Sequence, residues 1–100
     1  MTRYKLSFTA QADLDGAFDP GLDAFGIAQA RRYMAEILKT IELLATFPQM
    51  APERTEAVEP VRVHHHQRHY IVYSVGDDHI VVLRIIRDET DIAALLRGLI

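Results

Sequence analysis

Two apolar runs separated by a short polar break constrain the fold of this chain more than any other feature. Residues 69–75 read HYIVYSV and residues 79–86 read HIVVLRII, with the sequence Gly-Asp-Asp between them. β-Branched and aromatic side chains favour strands. We expect Gly76 to supply the positive φ that hairpin loops favour. The two runs are therefore predicted to form an antiparallel β-hairpin.

The second strand of this hairpin is predicted to lie in the centre of a sheet. Residues 80–86 are almost all apolar, which is typical of a strand buried on both faces. One face would carry Val81, Leu83 and Ile85. The other face would carry Ile80, Val82, Arg84 and Ile86. A buried arginine needs a partner or nearby solvent, so we expect the face that carries Arg84 to be half-open.

Two further segments alternate with the period of two that a strand requires. In the first, Val61, Val63 and His65 alternate with Arg62, His64 and His66. In the second, at the N-terminus, Tyr4, Leu6 and Phe8 alternate with Arg3, Lys5 and Ser7. Both segments are predicted to be strands, and the N-terminal strand is predicted to bury only its apolar face.

Two amphipathic helices are predicted between the N-terminal strand and the later strands. Thr9 is a candidate N-cap for the first helix, where Asp13 and Asp15 would suit the positive end of the helix dipole. The sequence Asp-Pro-Gly at residues 19–21 ends this helix. Residues 22–47 form the second helix, and the short turn makes the two helices antiparallel. The apolar stripe of the second helix comprises Ile27, Ala30, Met34, Ile37, Ile41 and Leu44.

The remaining segments complete the predicted order of elements. Residues 48–60 contain three prolines and are predicted to be a loop. Residues 88–100 are predicted to include a short helix, capped by Asp88 or Thr90, that must dock on the domain or on a partner. We therefore predict a single α+β domain over residues 1–100. Its elements are an N-terminal strand, an antiparallel helical hairpin, a three-stranded antiparallel meander completing one small sheet, and a short C-terminal helix.

Charge is distributed unevenly along the chain. The net charge is −3, yet residues 60–87 hold four arginines, two aspartates and all five histidines. This net-cationic stretch can address an acidic partner although the whole molecule is acidic. The chain has no cysteine, and it has no apolar run of the length that a membrane span requires. We therefore expect a cytoplasmic protein without disulfides, a thiol nucleophile or membrane association.

Three arginines on the predicted strands are the candidate ligand-binding residues. A guanidinium group binds phosphate or carboxylate through two parallel hydrogen bonds. The three are Arg62, Arg84 and Arg87. Alternatively, they form structural ion pairs with Asp88, Glu89 or Asp91. The sequence leaves both interpretations open.

Two histidines are candidate metal ligands, because alternate residues of a strand share a face. His64 and His66 could chelate an ion together. A protein site needs further ligands and usually supporting hydrogen bonds, and no cysteine, HExxH motif or spaced carboxylates supply them. No metal and no cofactor are predicted, and the histidines are interpreted as solvated or interface residues. The sequence also contains no glycine-rich phosphate loop and no nucleophile motif.

Four segments form a combination that is specific, although each is weak alone. They are YKLSFTAQADL at residues 4–14, FGIAQARRYMAEILKTIELLATFPQM at residues 25–50, VRV ahead of HYIVYSV, and IVVLRIIRDETD at residues 80–91. Together they resemble the ParE toxins of the RelE/ParE superfamily, from bacterial type II toxin–antitoxin and plasmid stabilization modules. The resemblance implies a small antiparallel sheet with a helical hairpin against it, in agreement with the predicted order of elements.

The resemblance also implies a protein partner, a ParD-like antitoxin. Such an antitoxin is dimeric through a DNA-binding part, so the toxin would meet operator DNA only through it. Two toxins would bind each antitoxin dimer, or a multiple of this unit would form. The antitoxin would pack an amphipathic helix on the helical hairpin. The antitoxin-binding candidates are Leu14, Phe18, Phe25, Tyr33, Met34, Ile37 and Ile41.

Finally, the resemblance implies one of two targets. ParE proteins inhibit DNA gyrase, whereas RelE relatives cut messenger RNA on the ribosome. A RelE-type nuclease stabilises the scissile phosphate with lysines and arginines, but no lysine follows Lys39, and residues 48–60 carry three glutamates. A gyrase inhibitor without catalysis is therefore favoured, with Arg62, Arg84 and Arg87 as target-binding candidates. The alternatives are a RelE-type ribonuclease and a non-toxic antitoxin-binding component.

Overall fold

Five strands in one sheet and three helices make up the secondary structure of the described residues, which are 3–17 and 26–99 of a computed structural model. The strands are β1 (Tyr4–Leu6), β2 (Glu53–Arg54), β3 (Val61–His66), β4 (His69–Val75) and β5 (Ile80–Arg87). The helices are α1 (Phe8–Ala17), α2 (Gly26–Thr46) and α3 (Ile92–Arg97). This architecture confirms the α+β class predicted from the order of elements.

The sheet is antiparallel except at one edge. Its strand order is β1-β5-β4-β3-β2, in which β3, β4 and β5 form the predicted antiparallel meander. β1 runs parallel to β5, which differs from the antiparallel sheet that the resemblance implied. The period of two marks a strand but carries no information about the direction of a distant neighbour. β2 belongs to the predicted loop, and its two residues are too few to show any periodicity.

A β-bulge in β5 changes which side chains share a face. Arg84 pairs with Val72 of β4. Val82 pairs with the next residue of β4, Tyr73, so Leu83 is an extra residue in β5. The predicted faces of β5 assumed strict alternation and are therefore wrong beyond the bulge. The cluster under α1 and α2 contains Ile80, Val82 and Ile85, whereas the cluster under α3 contains Ile86.

The sheet separates two hydrophobic clusters. The buried members of the larger one, under α1 and α2, are Ala10, Leu14, Ile37, Ile41, Leu44, Ala51, Ile71, Tyr73, Ile80, Val82 and Ile85. Those of the smaller one, under α3, are Val61, Val63, Val72, Ile86 and Leu96. Alternate strand residues point to opposite faces, so each strand of the meander contributes to one or both clusters. The C-terminal helix thus docks on the domain, one of the two outcomes expected for it.

The start of α1 is fixed by a serine that also contacts the sheet. The Ser7 Oγ accepts a hydrogen bond from the N–H of Ala10 at 3.0 Å and donates one to the carbonyl of Leu83 at 2.9 Å. Ser7 therefore caps the helix, and the prediction of Thr9 as the N-cap is wrong. Both residues have suitable hydroxyls, and the long-range bond to Leu83, which favours Ser7, is invisible in the local sequence.

Two local predictions in the second half of the chain are also corrected. The N-cap of α3 is Asp91, whose side chain accepts a hydrogen bond from a first-turn N–H at 3.2 Å, in place of Asp88 or Thr90. Gly76 does not adopt a positive φ. Instead, a Cβ at this position would lie 3.1 Å from the carbonyl oxygen of His79, so the close approach of the backbone favours glycine.

Some predictions concern residues outside the described part of the chain. The Asp-Pro-Gly turn at residues 19–21 and the predicted start of the second helix belong to them. The described part of α2 ends at Thr46, one residue before the predicted end. Among the described helices, none is both long enough and apolar enough to cross a membrane.

Candidate functional site

Arg84 is held by an aspartate of α1. Its Nε lies 2.8 Å from Asp13 Oδ2 and its Nη2 lies 3.2 Å from Asp13 Oδ1, and both side chains are partly buried. Asp13 Oδ2 also accepts a hydrogen bond from the N–H of Ile85 at 3.0 Å. β1 ends opposite Val82, so Asp13 takes the place of a strand neighbour for this N–H. Asp13 lies beyond the first turn of α1, which corrects its prediction as a helix-dipole residue.

The other two candidate arginines have different partners. The Nη1 of Arg62 donates to the carbonyl of Ala51 at 2.6 Å, and its Nη2 lies 3.7 Å from Glu53 Oε2. The Nε of Arg87 lies 2.9 Å from Glu89 Oε1, with both side chains largely exposed. Arg87 therefore forms one of the structural ion pairs that the sequence left open. Arg62 lies on β3, two strands away from the arginines of β5.

A tyrosine and two histidines form a hydrogen-bonded cluster where α2 meets the β3–β4 turn. The Tyr33 hydroxyl lies 2.6 Å from His69 Nδ1 and 3.3 Å from the carbonyl oxygen of His66. It also accepts a hydrogen bond from the N–H of Arg68 at 3.3 Å. The Nδ1 of His66 lies 3.2 Å from the Thr40 hydroxyl. These contacts fasten the turn to α2.

The association of these residues was not predicted from the sequence. The sequence predicts Tyr33 to be an antitoxin-binding residue and the histidines to be solvated or interface residues. His69 is only 8% exposed, so that interpretation is wrong for this residue. The available signal was a run of histidines beside a short turn, opposite a tyrosine on the apolar side of a helix. A contact between residues more than thirty positions apart cannot be inferred from local periodicity.

Burial shifts the pKa values of two members of this cluster, His69 and Tyr33. It lowers the pKa of His69 below the ordinary value for histidine, and the positive charge of Arg87 lowers that pKa further. Burial also lowers the pKa of His64, with smaller contributions from the neighbouring histidines. Burial raises the pKa of the Tyr33 hydroxyl. At neutral pH, the Tyr33–His69 contact is therefore a hydrogen bond between two uncharged groups.

The lowered histidine pKa values predict a loss of stability in acid. Below the ordinary pKa of about 6.5, the unfolded chain binds protons on His64 and His69 that the folded chain does not bind. The free energy of unfolding should therefore be highest above about pH 6.5. It should fall as the pH decreases through the lowered pKa values, by at most about 1.4 kcal/mol per pH unit for each histidine. Urea denaturation at about pH 7.5 and about pH 5.5 measures this change.

Two variants test whether His69 causes the pH dependence of stability. The pH dependence should shrink in His69→Gln, because the substituted side chain does not titrate. It should persist in His65→Gln, because this substitution leaves His69 and its contact with Tyr33 in place. An unchanged pH dependence in His69→Gln would contradict the assignment to His69.

A cavity of 460 Å³ lies between α1 and the end of β5. Its wall includes Asp13 and Gly16 from α1, His69 from β4, and Ile85 and Arg87 from β5. The cavity therefore joins the buried histidine to the helix residue that binds Arg84. Within residues 3–17 and 26–99, no group of three or more histidines, aspartates or glutamates is arranged to hold a metal ion.

The fold and these residues can now be compared with known proteins. A family model described as "ParE toxin of type II toxin-antitoxin system, parDE" matches residues 4–92. The chain belongs to this family. It is 30% identical over 92 residues to the curated Toxin ParE1 of Mycobacterium tuberculosis, from the strains CDC 1551 / Oshkosh and ATCC 25618 / H37Rv. Each match covers 91% of this chain and 94% of the relative.

A solved structure supports the same classification. One chain of the "Chromosomal ParDE TA system from P. aeruginosa" superposes with a TM-score of 0.71 at 26% sequence identity. The superposition covers 87% of this chain and 96% of that chain. The protein is thus a ParE-type toxin of a type II toxin–antitoxin system, as the resemblance implied.

The residues expected to bind an antitoxin occupy different environments in this ParE fold. Leu14, Ile37 and Ile41 are buried between the helices and the sheet, so their side chains offer no surface to a partner and are reassigned to the core. Tyr33 and Met34 are partly buried against the same core. Phe18 and Phe25 lie outside the described residues. The apolar stripe found in the sequence is therefore mainly the side of α2 that faces the sheet.

An apolar patch remains exposed at the C-terminal end of α2. It consists of Leu43 and Phe47, one helical turn apart, and of Met50 in the turn that follows. Leu43 also lines a groove of 830 Å³ beside α2, together with Thr40 and His66. Contiguous exposed apolar side chains often mark protein interfaces. This patch is therefore a part of the ParE fold that a protein partner can reach.

Proposed function

We propose that this ParE-type toxin acts on DNA gyrase and not on messenger RNA. The observation that carries the proposal is that two of the three strand arginines, Arg62 and Arg84, are already engaged within the protein. Arg62 contacts an internal carbonyl and Arg84 an internal carboxylate, whereas Arg87 is largely exposed. Cleavage of RNA needs cations that are free to stabilise the charge developing on the phosphate. The resemblance to ParE supplies gyrase inhibition as the alternative activity.

The acidic surroundings of these arginines also support a protein target. Three glutamates lie in the segment 48–60, and Asp88, Glu89 and Asp91 follow β5. Such a distribution repels a polyanionic backbone, because RNA binding depends on neutralising several phosphates. Binding to a protein surface does not require several phosphates to be neutralised.

A supercoiling assay with purified gyrase tests the proposal. Increasing amounts of the toxin should reduce the supercoiled product, and an antitoxin added in excess should restore it. Primer extension on translated messages should show no toxin-dependent cuts. Intact gyrase activity at toxin excess, together with ribosome-dependent cuts, would transfer the assignment to the ribonuclease. A lack of growth arrest on expression without antitoxin would instead favour a non-toxic antitoxin-binding component.

We further propose that a ParD-like antitoxin silences the toxin and docks on the apolar patch of Leu43, Phe47 and Met50. The patch is exposed, and the structural relative comes from a ParDE system. Operator DNA would be reached only through this antitoxin. Because gyrase acts on the bacterial chromosome, the proposed site of action is the cytoplasm. The molar mass of the purified complex, from light scattering, tests whether two toxins bind each antitoxin dimer.

A further inference from the structure

The cavity between α1 and β5 contains a buried histidine whose second ring nitrogen is unused. His69 is more than nine-tenths buried, and its Nδ1 lies 2.6 Å from the Tyr33 hydroxyl. In the described part of the chain, the Nε2 of His69 makes no hydrogen bond. It is also not one of the fully buried polar atoms that lack a partner, so it keeps some contact with solvent. His69 forms part of the cavity wall. Because Nδ1 is engaged by Tyr33, the Nε2 is the ring nitrogen of His69 that is left for a ligand in the cavity.

The hydrogen bonds of Tyr33 decide whether this nitrogen carries a proton. The Tyr33 hydroxyl has one proton and two acceptors within reach, of which His69 Nδ1 at 2.6 Å is closer than the carbonyl of His66 at 3.3 Å. We assign the proton to the shorter contact, as the network favours. Neutral His69 then carries its own proton on Nε2, so the imidazole is a hydrogen-bond donor toward the cavity.

A second donor lies directly across the strand pair. Arg87 of β5 is paired in register with His69 of β4, and side chains so placed lie within about 5 Å of each other at their Cβ atoms. Arg87 pairs with Glu89, with its Nε 2.9 Å from Glu89 Oε1. Its two terminal nitrogens make no hydrogen bond with the described residues, and the side chain is 61% exposed. The same wall of the cavity thus presents an imidazole N–H and a guanidinium edge.

The remaining charges restrict the size of a ligand anion. Asp13 lies in the cavity wall, but both of its oxygens are bound by Arg84 and by the N–H of Ile85. Asp88 and Glu89 lie beside the donors and oppose a chain of negative charges. Among the other titratable groups near His69 are Tyr33 of α2, His66 of β3, and Arg68 of the turn. One compact anion is favoured here, and a phosphate backbone is not.

We propose that this cavity binds a single carboxylate group, held between the Nε2 of His69 and the terminal nitrogens of Arg87. Two sources share this chemistry, a free small carboxylic acid and a glutamate or aspartate side chain of a bound protein. The aliphatic wall at Ile85 suits the carbon atoms that precede the carboxylate. The proposal stands apart from the choice between gyrase and messenger RNA, because it concerns a binding site and requires neither target.

Nitrogen-15 NMR of the histidine side chains in the full chain tests the site. Acetate, added at constant ionic strength against chloride, should shift the Nε2 resonance of His69 and saturate in the millimolar range. It should also raise the pKa of His69, because a nearby anion favours the imidazolium form. A peptide with one glutamate between aliphatic residues forms the second arm. Binding of the peptide at least about tenfold tighter than acetate identifies a protein side chain as the source, and equal binding identifies a free acid.

Matched variants separate the site from a general effect of salt. Arg87→Gln should weaken acetate binding at least about tenfold, since one of the two donors is lost. Arg3→Gln removes an equally exposed arginine paired with Asp78, and should leave binding unchanged. Gly16→Leu should exclude the peptide, because a Cβ at Gly16 meets no atom within 4 Å and a longer side chain can enter the cavity. Thermal unfolding confirms that each variant is folded.

Three results would overturn the proposal. The first is a linear shift of His69 that chloride reproduces. The second is equal acetate binding by Arg87→Gln and the unsubstituted protein. The third is a larger response at another histidine than at His69.

Discussion

Replacing Asp13 with alanine is expected to lower the free energy of unfolding by about 2 to 3 kcal/mol. The substitution leaves the guanidinium of Arg84 partly buried without its bidentate partner, and leaves the N–H of Ile85 without an acceptor. A partly buried charge that loses its partner is more costly than an exposed one, because it stays desolvated. Urea denaturation near neutral pH measures this loss of stability, if the free energy of unfolding depends equally on urea concentration in all variants.

Two variants make this measurement specific. Asp15→Ala removes an exposed acid of the same helix and should change the free energy of unfolding by less than about 0.5 kcal/mol. In Asp13→Ala combined with Arg84→Met, part of the stability should return, since no unpaired guanidinium remains. If Asp13→Ala were no more destabilising than Asp15→Ala, the ion pair would contribute nothing to the fold.

The Asp13–Arg84 pair also affects how loss of toxicity should be interpreted. Arg84 interrupts an apolar strand and was therefore a natural candidate for binding the target. In the structure its guanidinium joins α1 to the edge of β5 where β1 has ended. An Arg84 variant that loses toxicity while losing stability reports on folding and not on target recognition. Arg87, which is largely exposed, is the cleaner test of a contact with gyrase.

The sequence predicted the elements of this fold better than their mutual arrangement. The alternating period located β3 and the helical period located α2, because the burial of one face imposes such a period on a segment. Apolar runs rich in β-branched and aromatic residues located β4 and β5. The extra residue Leu83 lies in a run that is apolar apart from Arg84, so the pattern does not mark the point in β5 where the faces exchange. The parallel pairing of β1 with β5 likewise depends on residues more than seventy positions apart.

The candidate site shows the same limit in its chemistry. Arg84 in an apolar run indicated that a partner was required, since a buried charge is costly alone. The acids next to it in sequence were the natural candidates, and the partner proved to be Asp13, 71 residues away. His69 was grouped with exposed histidines, although its burial follows from the contact with Tyr33. The type of residue thus predicted that a contact was needed. Only the three-dimensional structure showed which residue makes that contact.

The apolar residues of α2 include both core residues and residues of the exposed patch. Two substitutions, one on each surface, distinguish the two roles. Ile41→Ala should lower the free energy of unfolding by about 3 kcal/mol, because Ile41 is fully buried and its truncation leaves a cavity in the core. Leu43→Ala should change that free energy by less than about 0.5 kcal/mol, since Leu43 is 45% exposed. Urea denaturation of the free toxin gives both values.

Antitoxin binding should respond in the opposite order. Truncation of Leu43 removes an apolar contact at the proposed docking patch and should weaken binding about tenfold, the effect of losing a well-packed interface side chain. The folded fraction of Ile41→Ala should bind almost as tightly as the unsubstituted toxin, because its side chain does not reach the surface. Calorimetric titration of each folded variant with the antitoxin measures the two affinities. Weaker binding by Ile41→Ala than by Leu43→Ala would place the antitoxin against the core side of α2, which requires the helix to move away from the sheet.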